Sequence, residues 1–395
     1  MTDSSWRHQG IDIGSLLANG WRPTPLREFV FKVAQRCNLA CDYCYVYTKA
    51  DQSWRDRPAL MSTAVWRAAA ERIAEHVERH DLSAIRVVLH GGEPLLAGGE
   101  TLAAIARSVR SAVPAGCAVR VTMQTNAVLL TRETLATLRA AGIAVGVSID
   151  GGGSVGSRHR HHPDGRSSFA AVDRALRLLA EPENADVYAG VLCVVDAEVD
   201  PLACYEGLLE YRPPFIDFLL PHANWMNPPS TAPGQWLIKV FDRWYDAARQ
   251  ETCIRMFEDI IRLALGGAGR TEHLGLSPAA VAVIESDGSI EQADSLKSAY
   301  PEAPATGLSV LEHPLDLALR HPGFVARQAG VAALSPGCLS CTVHRVCGGG
   351  HYAHRFHARN GFRNRSVYCS DLYRLITHVT GRLSSDIRLL RRMPT

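Results

Sequence analysis

No apolar run of 18 or more residues occurs anywhere in the 395-residue chain, so no membrane-spanning helix is expected. Charge of neither sign dominates: 42 lysines and arginines stand against 40 aspartates and glutamates, a net +2. That balance excludes a chain built mainly to hold nucleic acid or an anionic membrane. The first 25 residues lack a basic start followed by an apolar block, so no secretory signal is read and a cytoplasmic location is expected. Low-complexity tracts are missing, as is any repeat beyond alternating strand and helix patterns. At 47% apolar and 21% charged, the composition excludes disorder, collagen and coiled coil and leaves ample material for a core.

Cysteine is what the chain has. Seven of its 11 cysteines fall in two tight groups, at 37–44 and 338–369. In a long chain without an export signal, clustered cysteines point to metal or catalysis before disulfides. Cys117, Cys193, Cys204 and Cys253 stand alone and read as small core residues.

Short apolar runs at 28–34, 85–90, 119–125, 143–149, 187–195 and 215–220 alternate with helical patterns. Of those helices, 62–78 starts at Ser62, a good N-cap, and carries an apolar stripe at Val65, Ala69, Ile73 and Val77. Strand–helix alternation predicts parallel βαβ units and an α/β fold, with ligands at the carboxyl ends of the strands. Six units do not choose between an open sheet and a barrel. A Pro- and Asn-rich connection at 221–232 leads to two helices, at about 234–249 and 253–266, then to a hairpin at 281–294 with Asp287-Gly288 at its turn. Residues 338–369, rich in Cys, Gly and His, show little periodicity and predict folding around something other than an apolar core. A basic helix over 371–392 closes the chain.

Cys37, Cys41 and Cys44 give C-x3-C-x2-C directly after the first strand. Three thiolates on one loop can ligate three corners of a [4Fe–4S] cluster, leaving one iron open to a small molecule. Structural zinc usually asks for a fourth ligand and C-x2-C pairs. With an aromatic residue, Tyr43, before the last cysteine, this loop resembles that of the radical S-adenosylmethionine (SAM) superfamily. The resemblance implies that SAM binds the open iron and that Tyr43 lies beside its adenine. It extends to Gly91-Gly92-Glu93-Pro94 after the second run, where the glycines let backbone approach a ligand and Glu93 accepts from the methionine ammonium. Gln124 and Asn126 after the third run, and Ser148 and Asp150 in VSIDGG, resemble the family's polar contacts to the ribose and methionine carboxylate. Arg160 matches an arginine that reaches that carboxylate. Its neighbours His159, His161 and His162 read as a solvated polar loop, since no ligand set completes a metal site.

Cys338, Cys341, Cys347 and Cys369 supply four thiolates, which suit a closed cluster or a four-cysteine zinc module, with His344 as a further zinc ligand. Here the chain resembles the SPASM extension of radical SAM peptide maturases, whose usual run is C-x2-C-x5-C-x3-C, gap, C. The position four past Cys347 is His351, and no cysteine lies between 254 and 337. The resemblance therefore implies one auxiliary [4Fe–4S] cluster, the outer one, on Cys338, Cys341, Cys347 and Cys369. His351, His354 and His357 read as structural or substrate contacts. In the sulfatase-maturing relatives an aspartate follows the hairpin's DG turn at a fixed spacing, which makes Asp294 a proton acceptor; a surface aspartate at a loop end is the equal alternative.

GGEP, QTNAVLL, VSIDGG, ESDGSIEQADSLKSAY and CGGGHYAHR resemble most the FxsB group of these maturases. That implies a partial (β/α)6 barrel with a C-terminal auxiliary-cluster domain. The divisions expected are an extension over 1–27, barrel 28–225, helical bridge 226–276, SPASM-like domain 277–370 and closing helix 371–395. It also implies a ribosomally made precursor peptide as substrate and a flavodoxin, ferredoxin or reductase as electron donor. The product would be a three-residue cyclophane, an aromatic ring carbon joined to a side-chain Cβ, with the auxiliary cluster taking the electron and Asp294 the proton. Formylglycine maturation, thioether or ether formation, and a non-catalytic zinc scaffold are the alternatives. About 27 residues precede the first strand, too few for a leader-binding domain, so leader recognition is expected at the barrel mouth, at 221–270 or on a separate protein. Arg388, Arg391 and Arg392 of the closing helix read as a solvated face more readily than as a leader contact.

Overall fold

The computed structural model describes residues 11–390 except 154, 155 and 157. Six strands in chain order form its centre: β1 (Glu28–Ala34), β2 (Ala84–Gly91), β3 (Ala118–Thr125), β4 (Ile143–Ser148), β5 (Tyr188–Val194) and β6 (Phe215–Leu219). Each pairs with the next in parallel. The crossovers are helices Thr63–Arg79, Gly99–Ala112, Arg132–Ala140, Phe169–Leu179 and Pro201–Leu209. They start where side chains can satisfy free N–H groups: Ser62 accepts from Val65 N, Thr131 from Thr134 N and Asp200 from Ala203 N. The stripe Val65, Ala69, Ile73 and Val77 is buried, joining one large core with the strands' apolar side chains.

The sheet does not close. A two-residue β7 (Cys253–Ile254) extends it parallel to β6. On the opposite side β8 (Val281–Ile284) pairs in parallel with β1, from Glu28↔Val281 to Phe31↔Ile284. Next come β9 (Ser289–Glu291) and β10 (Ala305–Ser309), both antiparallel to their neighbours, giving ten strands in the order β10-β9-β8-β1-β2-β3-β4-β5-β6-β7. The fold is thus an α/β partial (β/α)6 barrel whose expected hairpin continues the barrel sheet beyond β1. β10 was not foreseen: ATGLS has no apolar alternation, and pairing with β9 decides its conformation.

The cysteine-rich segment departs from expectation in one respect. It is built of short turns, Pro336–Leu339, His344–Cys347 and Tyr352–Arg355, yet it has a small apolar core. Tyr352, Ala353, Phe356 and Phe362 pack with Leu296, Ala299, Ala303 and Ala326. Those apolar residues belong to different segments, so no local periodicity announces them. The closing helix, Cys369–Leu390, packs along helix Gly234–Tyr245. Asp371 Oδ1 accepts from Gly234 N at 2.9 Å, and Arg382 pairs with Asp242 and Asp246. Arg388 donates to Ser384 O of its own helix; Arg391 and Arg392 lie outside the described residues. Among the described residues, no helix is long and apolar enough to cross a membrane.

Candidate active site

The first cysteine loop leaves the carboxyl end of β1 and is held on two sides. Gly92 N donates to Ala34 O and Glu93 N to Arg36 O, at 2.8 and 3.0 Å. Ala40 N donates to His161 O and Asp42 N to His159 O. His159 also bridges Asp42 and Asp196, so the histidine-bearing loop braces the cysteine loop rather than being merely solvated. The glycines approach chain, not ligand. A Cβ on Gly92 would sit 1.9 Å from Tyr47 Oη and 2.4 Å from Arg36 O, and one on Gly91 2.2 Å from Ala34 O.

Glu93 is fully buried beneath that loop. Its carboxylate accepts from Thr125 Oγ1 (2.6 Å), Asn126 N (2.8 Å) and Leu95 N (3.0 Å), while Pro94 opens the following turn. Burial pushes its pKa up, against these hydrogen bonds and the Arg160 charge. Asn126 Nδ2 donates to Asn38 Oδ1 at 2.8 Å and reaches Cys37 Sγ at 3.6 Å, so the third strand's end touches the first cysteine. Gln124 Nε2 donates to Ser148 Oγ at 2.8 Å, joining the ends of β3 and β4.

Tyr43, Asp150 and Arg160 form one polar group. The Tyr43 hydroxyl donates to Asp150 Oδ2 and accepts from Arg160 Nη1, a placement the adenine role does not anticipate. Burial disfavours the Arg160 charge, but Tyr43, Asp150 and Cys41 more than offset it, and the guanidinium stays charged. Its Nε is buried without a protein partner. A buried cation with a free donor, beside the cysteine loop and within electrostatic range of Glu93, fits a zwitterionic ligand with carboxylate and ammonium groups.

All 11 cysteines are free thiols. Cys41 and Cys44 lie close enough to Cys37 to raise its ionisation cost, as Cys44 does that of Cys41, and burial pushes the Cys37 thiol up to about 12. Cys338, Cys341, Cys347 and Cys369 are likewise brought together: Cys338 and Cys369 act on Cys347, and Cys338 and Cys341 on Cys369. Among the described residues, neither set is among the groups of three whose ligand atoms converge within 4.8 Å. A tetrahedral Zn²⁺ with bonds of about 2.3 Å needs its sulfurs about 3.8 Å apart. The wider spacing suits a cubane, whose thiolates sit on different irons. Of the lone cysteines, Cys117, Cys193 and Cys204 are buried as expected, whereas Cys253 is half-buried on β7.

Asp294, at the start of the turn after β9, faces into the site. Lys32 Nζ on β1 lies 2.7 Å from its Oδ2, and the Tyr45 hydroxyl donates to the same oxygen at 3.4 Å. Oδ1 is buried with no protein partner. Burial alone would raise its pKa, but Lys32, then Lys297 and His90, hold the carboxyl well below the usual range. Behind it Lys297 binds Glu285 and Glu291 at 2.8 and 3.0 Å, and Arg57 pairs with the same two carboxylates. Burial and the neighbouring Glu285 push Glu291 up to about 7.

Sequence reasoning missed Lys32, Tyr45 and Lys297. Lys32 carried a signal: a lysine inside the apolar run EFVFKVA is costly unless paired, and it is fully buried. Also missed is a histidine group in which His222 joins His351 and His354, while His357 lies apart in a loop and accepts from Arg359 N.

Residues 31–191 match the family profile described as Radical SAM superfamily. Among curated proteins, the chain is 26% identical over 387 residues to the serine-type anaerobic sulfatase-maturating enzyme of Klebsiella aerogenes, covering 92% of this chain and 87% of that one. It is 24% identical over 290 residues to the cysteine-type enzyme of Clostridium perfringens, covering 68% and 74%. Among solved structures, native anSMEcpe with bound AdoMet superposes with a TM-score of 0.79 at 20% identity, over 93% of this chain and all of that one. Streptococcus suis SuiB bound to precursor peptide SuiA gives 0.60 at 15%, over 90% and 78%. At such identities these structures establish the fold. Residues 31–191 carry the radical SAM match, and the chain is a radical S-adenosylmethionine enzyme, of the class that uses a [4Fe–4S] cluster and S-adenosylmethionine.

Proposed function

We propose that this enzyme is a peptide maturase that joins a side-chain Cβ to an aromatic ring in a ribosomally made precursor, giving a three-residue cyclophane. A cluster on Cys37, Cys41 and Cys44, with SAM, supplies a 5′-deoxyadenosyl radical able to take hydrogen from Cβ. Arg160 offers a buried cation to the methionine carboxylate, with Asp150 beside it in the same polar group, and Glu93 beneath the loop offers an acceptor to its ammonium. The Cβ radical adds to the ring, and aromaticity returns with loss of one electron and one proton, so the peptide loses two hydrogens. Asp294 takes the proton. Cys338, Cys341, Cys347 and Cys369 would hold the group that receives the electron. A separate leader-binding protein and a flavodoxin, ferredoxin or reductase donor belong to the same proposal.

The observation that carries this reading is the Lys32–Asp294 ion pair. A carboxylate stabilised by a buried lysine at 2.7 Å is a weak base. A ring cation left after electron loss is strongly acidic, and a weak base suffices for it. Removing the proton of a serine hydroxyl asks for a stronger one. Formylglycine maturation is the second reading, favoured by the sulfatase-maturating names of the curated relatives. In the test, candidate peptides are deuterated at one Cβ at a time and incubated anaerobically with SAM and reductant. Deuterium in 5′-deoxyadenosine, with a product linked at that carbon, supports the proposal; deuterium arriving only from Cα overturns it.

A further inference from the structure

His222, His351 and His354 come from distant parts of the chain: His222 follows β6, whereas His351 precedes and His354 lies within the turn Tyr352–Arg355 of the cysteine-rich segment. Their ligand nitrogens nonetheless converge within 4.8 Å of one another. The ring centroids of His351 and His354 are 4.9 Å apart, with His222 at 5.9 and 6.1 Å. His351 and His354 retain only 8% and 3% of their exposure. His222 Nδ1, His351 Nδ1 and both ring nitrogens of His354 are buried without a protein partner.

Two other convergent groups carry opposite charge of their own. In His76–His80–Asp316, His76 Nε2 accepts from Leu26 N and His80 binds Asp316. In Glu285–Glu291–Asp294, Lys297, Arg57 and Lys32 neutralise the carboxylates. The histidine group has no hydrogen-bond partners for these nitrogens and no carboxylate among its three members. Buried polar atoms are seldom left so.

We propose that His222, His351 and His354 bind a single divalent transition-metal ion, zinc by the character of its ligands. Imidazole nitrogen suits zinc above the hard cations, and three histidines leave one position open for water or for His273, whose ring lies 4.8 Å from that of His351. The ion ties the connection after β6 to the cysteine-rich segment. It also lies one ring from Asp294, since Tyr45 packs on His222 at 4.7 Å and reaches Asp294 through its hydroxyl.

The test uses the full chain, purified anaerobically with its clusters, loaded with Zn²⁺ and washed. The expected result is one zinc per chain beyond the cluster iron, with X-ray absorption showing nitrogen ligands at about 2.0–2.1 Å and no sulfur at about 2.3 Å. His354→Gln and His222→Ala should each lose the zinc while keeping iron and sulfide. Should the buried His354→Gln fail to fold, His222→Ala, at a half-buried position, decides alone. No bound zinc, zinc on sulfur, or zinc retained in a folded His222→Ala variant would overturn the proposal. Metal content is read without turnover, so the outcome is independent of which product the enzyme makes.

Discussion

Lys32 Nζ and Asp294 Oδ2 lie 2.7 Å apart, although 261 residues separate them along the chain and one sits on the first barrel strand, the other after a C-terminal hairpin. The contact exists because β8 pairs with β1, which delivers the turn after β9 to the barrel mouth. It places a carboxylate with one free buried oxygen beside the cysteine loop, and the account of function turns on it.

Asp294→Asn retains a partner for Lys32 but cannot take a proton. SAM cleavage should continue while modified peptide falls by about 10²–10⁴-fold, the usual span of a positioned acid or base. The ratio of 5′-deoxyadenosine to product, measured in single turnovers, checks this; an unchanged ratio would remove Asp294 from the chemistry.

Lys32→Met leaves a buried carboxylate without its nearest cation and should cost about 3–5 kcal/mol near neutral pH. The pH dependence has a definite sign. With Lys32 present, the Asp294 pKa is depressed, so its contribution is present above the unfolded carboxyl value and lost only as pH falls through the lower folded one. In the variant, burial is opposed by less positive charge and the folded pKa rises. The stability gap between the two proteins should therefore be small in acid and widen as pH rises, which denaturant melts across pH would show.

Gly92→Ala places a methyl against Tyr47 Oη and Arg36 O. The cysteine loop must shift, at about 1–3 kcal/mol, and iron should be lost from the three-cysteine site with the second set still loaded. Adding Tyr47→Phe should not restore the iron, because the backbone oxygen of Arg36 remains in the way. Iron and sulfide counts per chain provide the readout.

Arg160→Met removes the buried cation that Tyr43 and Asp150 surround. SAM affinity should drop about 10–100-fold, in line with the roughly 1.5–3 kcal/mol of a hydrogen bond to a charged group. Arg160→Lys should recover only part of it, since an ammonium cannot reproduce the planar fork. Equilibrium dialysis with SAM measures both.

Local signals in the sequence reached as far as each loop. The six strands, the Ser62 cap, the Asp287-Gly288 turn and the polar residues at the strand ends are short-range features, and they lie where patterning put them. The contacts between loops were not legible. Nothing near Gly92 announces that Tyr47 and Arg36 crowd it, and nothing in PHANW or GGGHYAHR says that His222 will meet His351 and His354. Such meetings depend on which strands become neighbours, and the β1–β8 pairing carries no mark in either strand. Lys32 was a visible anomaly, a charge in a buried run that required a distant partner.

The most direct test is mass analysis of the precursor peptide encoded beside this gene, after anaerobic incubation with reconstituted enzyme, SAM and a strong reductant. The account predicts loss of two hydrogens and fragmentation suppressed within one short segment that contains an aromatic residue. A product that fragments freely at every bond and carries an oxidised Ser or Cys would contradict it.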